Sequence, residues 1–185
     1  YTYLDSAGAD VYCKLPSRDD DGYGLSETAV DLMAAKGVSL IVTVDNGVSA
    51  NAAIAHAKEQ GVDVVVTDHH LPPQTLPEAA AIVNPQLPGD ESPCKTLSGA
   101  GVAFKLAAAL DGCTPDEMLP FYGDLAAIGT IADIMLLEGE NRRIVKAGLA
   151  LLQQTERPGI AALIEACGLG GKELTAENVS FGLAP

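Results

Sequence analysis

The chain has 185 residues with a formal net charge of −14, and 48% of its residues are hydrophobic while 19% are charged. This composition excludes a disordered chain, and the length suffices for one sizeable core or for one domain with a helical appendage. With no apolar stretch of bilayer length and no basic-then-apolar leader, the sequence predicts a cytoplasmic protein with no membrane contact.

The elements predicted for the first half of the chain alternate between strands and helices, which is typical of βαβ units in a parallel sheet. Apolar, β-branched runs predict strands, and alanine-rich segments that begin at serine and stop at glycine predict helices. The predicted strands are 10–15, 40–44, 62–67 and 80–83, and the predicted helices are 26–36 and 49–60.

The second half reads as mostly helical after a loop rich in proline, glycine and charge at 87–96. Helices are predicted at 98–110, 121–134, 141–154, 158–167 and 175–178. The predicted fold is therefore α/β, with a parallel-sheet core covered by helices on both faces in residues 1–137. A helical segment at 138–185 follows it and leads to a C-terminal domain outside the chain.

Acids and imidazoles follow two of the predicted strands. Asp45 ends the run 40–44, and Asp68, His69 and His70 end the run 62–67. Parallel strands bring their carboxyl ends to one edge, where open α/β sheets place their chemistry. Taken alone, the Asp-His-His tripeptide is as compatible with a solvated turn as with a metal site, but its placement favours the metal. His56, within a predicted helix, is interpreted as a surface or packing residue.

Metal ions would also reconcile the acidic chain with an anionic substrate. A chain with a charge of −14 repels nucleic acid unless bound cations or a local basic patch intervene. The four cysteines contain no Cys-x-x-Cys pair, which disfavours a zinc knuckle. Asp45, His69 and Asp133 offer oxygen and nitrogen donors that suit Mn²⁺ or Mg²⁺.

Two further features each allow a functional and a plain interpretation. Gly99 and Gly101, at the start of a predicted helix, could cradle a phosphate or could simply permit close packing on the sheet. The only basic cluster, Arg142, Arg143 and Lys146, could contact a nucleic-acid strand, although a solvated helix face is the default interpretation.

Five blocks, in order, resemble the DHH phosphoesterase superfamily and in particular its RecJ-like single-stranded-DNA exonucleases. The blocks are 41–49 (IVTVDNGVS), 66–72 (VTDHHLP), 83–85 (VNP), 97–106 (LSGAGVAFKL) and 129–133 (GTIAD), and the turn at 18–25 adds a weaker match. The resemblance implies metal-dependent hydrolysis of single-stranded DNA in DNA repair and recombination.

The resemblance also implies residue roles. Asp45 matches the carboxylate that bridges two metal ions, His69 the imidazole ligand and Asp133 the last carboxylate ligand. His70 is expected near the scissile phosphate, with Asp68 orienting an imidazole as part of the catalytic group. Asn46 is expected beside the substrate, next to the bridging acid.

One departure from the family pattern concerns the upstream Asp-x-Asp motif that supplies further metal ligands, because no such motif precedes Tyr1. The acidic run 19–21 is interpreted as a solvated loop instead. The chain is therefore expected to be an inactive core of a larger enzyme that binds divalent ions weakly by itself.

Three functions stay open at this point. The first is the RecJ-like nuclease, with single-stranded DNA as partner. The second is a phosphoesterase acting on oligonucleotides, cyclic dinucleotides or pyrophosphate. The third is a catalytically dead DHH domain that serves as a protein-interaction module.

Overall fold

The structure is a computed structural model that describes residues 1–16 and 24–184. Its elements, in chain order, are as follows: α1 Thr2–Ser6, α2 Glu27–Ala35, β1 Leu40–Val44, α3 Asn51–Glu59, β2 Asp63–Thr67, β3 Ala81–Val83, α4 Gly99–Asp111, α5 Pro115–Ala132, α6 Gly139–Leu152, α7 Pro158–Ala166 and α8 Ala176–Asn178, with a π-helical turn at Val179–Leu183.

The strands form a parallel sheet in the order β1-β2-β3, with Val42 opposite Val65 and Thr67 opposite Val83. Alternate residues of β1 and β2, among them Ile41 and Val66, are buried in one cluster with residues of α2 and α3. The α/β class with a parallel sheet is therefore confirmed. We call residues 24–84 the sheet half of the protein.

Residues 97–184 are helical and form what we call the helical half. Helix α4 contacts β1, β2 and α5, and α5 packs along α6. Two glycines allow these close approaches, because a Cβ at Gly129 would lie 2.4 Å from the Cβ of Ala100, and one at Gly148 would lie 2.3 Å from that of Ala127. Small residues at these crossings bring the three helices close together.

The predicted boundary between residues 137 and 138 falls within one packed cluster. Ala127 and Ile131 of α5 are buried with Val145 and Leu152 of α6. The helices on the two sides of the boundary thus share apolar surface, and the division into two domains stays a prediction.

The predicted strand at 10–15 is wrong, since these residues have no strand structure. Their side chains do not contribute to a buried sheet face: Leu15 is 85% exposed, and Tyr12 lies under the Lys36 ammonium at 4.0 Å. A run of β-prone residues forms a strand only when a neighbouring strand and a core accept it. The acidic loop at 19–21 and residues 18–23 of the turn at 18–25 lie outside the described residues.

Helix α5 begins six residues earlier than predicted, at Pro115 instead of Phe121. Thr114 and Glu117 form a capping box, each side chain accepting the other's backbone N–H, and Pro115 occupies the first helical position, where no donor is lost. The interior Pro120 does not end the helix, which continues to Ala132. The short helix α1 was not predicted.

None of the helices within residues 1–16 and 24–184 is both long and apolar enough to cross a lipid bilayer. The cytoplasmic location stays a prediction.

Candidate metal centre

Asp45 is the first residue after β1, and its backbone adopts the left-handed region with φ +65°. That turn directs the carboxylate across the edge of the sheet to the start of α4. A Cβ on Gly99 would lie only 2.1 Å from Asp45 Oδ1, so only glycine fits at this contact. The side chain of Asp45 is half exposed, which leaves one of its sides open to solvent.

His69 lies between two carboxylates that come from distant parts of the chain. Its Nε2 is 3.0 Å from Asp45 Oδ1 and 3.2 Å from Asp133 Oδ2, and its side chain is only 9% exposed. Asp133 is the C-cap of α5. The three predicted ligands therefore lie together. Asp45 and His69 belong to the sheet half, and Asp133 belongs to the helical half.

His70 stands beside this group and is held by Asp68. Its Nδ1 is 2.6 Å from Asp68 Oδ1, and the rings of His69 and His70 lie 4.5 Å apart. Asp68 is 1% exposed and also accepts the backbone N–H groups of Val48, His69 and His70. This carboxylate therefore fixes both the loop and the ring of His70, which is the contact expected of an orienting residue.

The two carboxylates differ in their pKa because their surroundings differ. Burial raises the pKa of Asp45 and nearby Asp133 raises it further, against the opposing effect of His69. Burial acts in the same direction on Asp68, but the donors from Val48 and His70 outweigh it and lower the pKa. For His70, burial opposes the charged form, while the bond to Asp68 raises the pKa.

The donors present fit a divalent cation. His69 Nε2 is buried and makes no hydrogen bond within the described residues, although two carboxylate oxygens lie at ion-pair distance from it. One ligand atom from each of Asp45, His69 and His70 lies within 4.8 Å of the others. A buried nitrogen that faces carboxylates without hydrogen bonding to them is the arrangement in which a cation supplies the missing partner.

The residues predicted to contact substrate lie at different distances from this centre. Gly99 faces Asp45 directly, whereas Gly101 lies behind it, where its N–H donates to Ser98 Oγ and its α-carbon faces Leu97. These contacts of Gly101 are the ones that the packing interpretation expects, and contact of either glycine with substrate stays a prediction. Asn46 follows Asp45 and donates to the Val44 carbonyl through its side chain.

The cationic side chains near the helical half mostly face carboxylates. Lys95 binds Asp90, Lys105 binds Glu140, and Arg143 binds Asp116. All three residues of the predicted basic cluster, Arg142, Arg143 and Lys146, are exposed on α6. Their contact with a nucleic-acid strand stays a prediction. His56 is partly buried and pairs with Asp31 of α2 at 2.7 Å, in agreement with its interpretation as a surface or packing residue.

Several supporting residues were missed in the sequence. Asn84 is 2% exposed and donates to the His70 carbonyl, so the end of β3 also holds the Asp-His-His loop. The sequence pattern that could have indicated Asn84 is its position directly after a predicted strand, at the edge of the sheet where the other polar residues lie. Ser98 and Thr130 join α4 to α5 by a buried hydroxyl contact of 3.1 Å, and no sequence pattern linked those two positions.

Comparison with known proteins agrees with this geometry. The family described as "DHH family, N-terminal domain" matches residues 1–130. The single-stranded-DNA-specific exonuclease RecJ of Bacillus subtilis is 49% identical over 97% of this chain, and that of Salmonella typhimurium is 45% identical over 92%. The chain spans 22% and 32% of the length of these two relatives, respectively.

Solved structures show the same fold. A crystal structure of exonuclease RecJ bound to manganese matches all of this chain with a TM-score of 0.84 and 39% identity, over 46% of its own length. RecJ from Thermus thermophilus in complex with Mn²⁺ matches with a TM-score of 0.79 and 36% identity, over 26% of its length. With the family match over more than half of its residues, the chain belongs to the DHH family.

Proposed function

We propose that this chain is the metal-binding core of a phosphoesterase that hydrolyses phosphodiester bonds in single-stranded DNA with Mn²⁺ or Mg²⁺. The convergence of Asp45 and Asp133 on the buried Nε2 of His69 carries the proposal. The relatives named as single-stranded-DNA-specific exonucleases support the substrate class, and the RecJ structures with Mn²⁺ and Mg²⁺ support the metal.

The charges of the site favour a metal-dependent reaction. Asp45, Asp68 and Asp133 place three carboxylates around two imidazoles, so the site alone would repel a phosphodiester. Divalent cations reverse that balance, and when bound they supply a hydroxide nucleophile and charge neutralisation at the phosphoryl group.

Each side chain then has a distinct task. Asp45, His69 and Asp133 hold the cation. His70, which Asp68 orients and whose side chain is 45% exposed, stabilises the charge of the phosphate at the edge of the site. Gly99 leaves the space that the Asp45 carboxylate occupies, and Asn46 follows Asp45 in the chain.

The experiment that tests the proposal places these residues in the context of a complete relative. In a chimaera, the 185 residues replace the matching segment of the Thermus thermophilus exonuclease, to which this chain is 42% identical over 188 residues. Manganese-dependent degradation of end-labelled single-stranded DNA is expected from the chimaera, and Asp45→Ala should abolish it. The 185-residue chain is assayed in parallel.

The controls separate the three functions considered from the sequence. A folded chimaera without activity would contradict the nuclease and favour an interaction module. Turnover of dinucleotides or pyrophosphate in preference to long strands would favour the small-substrate phosphoesterase. A duplex of the same sequence tests whether the activity requires a single strand.

A further inference from the structure

The metal centre depends on how the end of α5 is placed against the sheet half. Asp45 and His69 follow strands that are hydrogen-bonded to each other, whereas Asp133 caps a helix that makes no ladder with them. The segment after Asp133 must therefore be held to the rest of the site by contacts other than the hydrogen bonds between the strands.

Asn141 supplies such a link. It is fully buried in the first turn of α6, and its Nδ2 donates to the Thr96 carbonyl at 2.6 Å and to the Leu136 carbonyl at 3.0 Å. Thr96 precedes Gly99 by three residues, and Leu136 follows Asp133 by three. One side-chain amide thus joins the segment that packs on Asp45 to the segment that carries Asp133.

The chain between Asp133 and Leu136 is strained, which makes such a link necessary. Ile134 has φ +54° and is 86% exposed, so a β-branched residue adopts the left-handed region without burial of its own side chain. Backbone in this region persists only when its surroundings enforce it. The neighbouring amides of Ile134 and Met135 donate to Ile131 and Thr130, and the Leu136 carbonyl is held by Asn141.

The start of α6 is itself anchored. Glu140, next to Asn141, receives Lys105 of α4 at 3.0 Å. Asn141 leaves its own Oδ1 buried without a hydrogen-bond partner within the described residues. A leucine has the same branched shape and no polar atom of its own, but it could not donate to the Thr96 and Leu136 carbonyls, so the two donated bonds explain the amide at this position.

We propose that Asn141 is a positioning residue for the metal centre. By tying the Gly99 segment to the Leu136 segment, it fixes Asp133 at the distance from Asp45 and His69 that a shared cation requires. The inference rests on the proposed function, because it assigns Asn141 a role at that same site.

The test measures Mn²⁺ affinity of the 185-residue chain by the loss of the free-ion electron paramagnetic resonance signal, which also reports weak binding. Asn141→Leu is expected to weaken binding about 10-fold or more, the range seen when partners that orient metal ligands are removed. Leu152→Ala is the matched control, since it destabilises the same helix from a buried position away from the site. Its affinity should stay within about twofold of the wild type.

The outcomes distinguish the two proposals. If the wild type binds Mn²⁺ and Asn141→Leu, folded by circular dichroism, binds equally well, the positioning role is overturned while the proposed function stands. An equal loss in Leu152→Ala would also overturn it, because general destabilisation would then suffice. If the wild type does not bind Mn²⁺, or if Asp45→Asn binds it equally well, the proposed function is contradicted. The role of Asn141, which rests on that function, is then contradicted as well.

A second measurement needs no variant, in case Asn141→Leu does not fold. Adding Mn²⁺ to the wild type should slow hydrogen exchange in residues 134–141, since a cation on Asp133 and the Asn141 bonds stabilise the same segment. Unchanged exchange in this segment at saturating Mn²⁺ would overturn the inference.

Discussion

The sheet half and the helical half contribute to the candidate metal centre in different ways. In the sheet half, Asp45 and Asp68 continue strands, and their backbone N–H groups extend the ladders to Thr67 and Val83 at 3.0 Å each. In the helical half, Asp133 ends α5, whose position depends on close contact between small residues such as Gly129 and Ala100.

This difference has a physical consequence for the site. A ladder of hydrogen bonds sets the register of the strands, so residues at their ends cannot shift independently. Helices that touch through small side chains can slide by fractions of an ångström when a methyl group is added. We therefore expect the position of Asp133 to depend on the close contacts that seat α5 against its neighbours, whereas a change that only lowers the stability of the helical half should leave the site intact. The experiments below test this comparison.

The largest effect is expected from Asp45→Asn. Asparagine tolerates the left-handed conformation and keeps the shape of the side chain, but it removes the anionic oxygen beside His69. Mn²⁺ affinity should fall by about 100-fold or more, beyond the 10–100-fold caused by losing an outer partner. The electron paramagnetic resonance signal of free Mn²⁺ measures it, with Asp63→Asn, an exposed acid at the opposite end of β2, as the control. Equal affinities in both variants would contradict the assignment.

Arg157→Leu tests whether the helical half can be weakened without affecting the site. The Arg157 Nε donates to Asp124, whose side chain is 9% exposed, so the change leaves a buried carboxylate without its cation. Unfolding free energy should drop by about 1–3 kcal/mol in a denaturant titration. Mn²⁺ affinity should not change.

The matched variant for this comparison is Arg143→Leu. Arg143 pairs with Asp116 where both side chains are 62% exposed, so its loss should cost less than about 1 kcal/mol. If the two arginine variants lose equal unfolding free energy, the burial of Asp124 does not explain the contribution of its ion pair with Arg157 to stability.

Gly99→Ala targets the contact between the two halves. The new methyl group would collide with the carboxylate and also with the Cβ of Asp45, so the whole side chain would have to shift. We expect Mn²⁺ affinity to fall about tenfold, as Asp45 turns away from His69. Gly159→Ala is the control: that glycine also lies in the first turn of a helix, with open space around it. An unaltered affinity in Gly99→Ala would show that Asp45 moves without loss of function.

The smallest effect is the pH dependence of stability that arises from the pair His56 and Asp31. This pair lies on the sheet half, away from the metal centre. The hydrogen bond to Asp31 raises the pKa of His56 above its ordinary value, against the opposing effect of burial. Protonated His56 therefore stabilises the fold fully below the unfolded pKa, and this contribution is lost as the pH rises through the higher folded pKa.

Melting temperatures at about pH 5.5 and pH 8.5 measure this contribution. The wild type should exceed His56→Gln by more at the acidic pH than at the alkaline one, and Asp31→Asn should remove the same difference. A wild-type advantage that grows at alkaline pH would reverse the sign and contradict the pairing.

The sequence by itself determined the class of the fold and two of the three predicted ligands. Continuous β-branched runs specify strands covered by helices, and in a parallel sheet whatever follows such strands must gather at one edge. Asp45 and His69 were predictable for this reason, from local pattern and the geometry of strands alone. Asp133, by contrast, came from the resemblance to a family, because nothing in the spacing of a helix end points to a distant strand.

Only the tertiary structure decided how the site is held together. The strand predicted at 10–15 failed because β propensity has no effect without a neighbour to pair with. Thr130 lies among apolar residues of α5, and Asn141 lies among the charged residues that begin α6. The significance of each depends on which carbonyl or hydroxyl group the packing brings opposite it. Contacts between residues 32 or 45 positions apart are set by the packing of whole helices, and no local pattern in the chain encodes them.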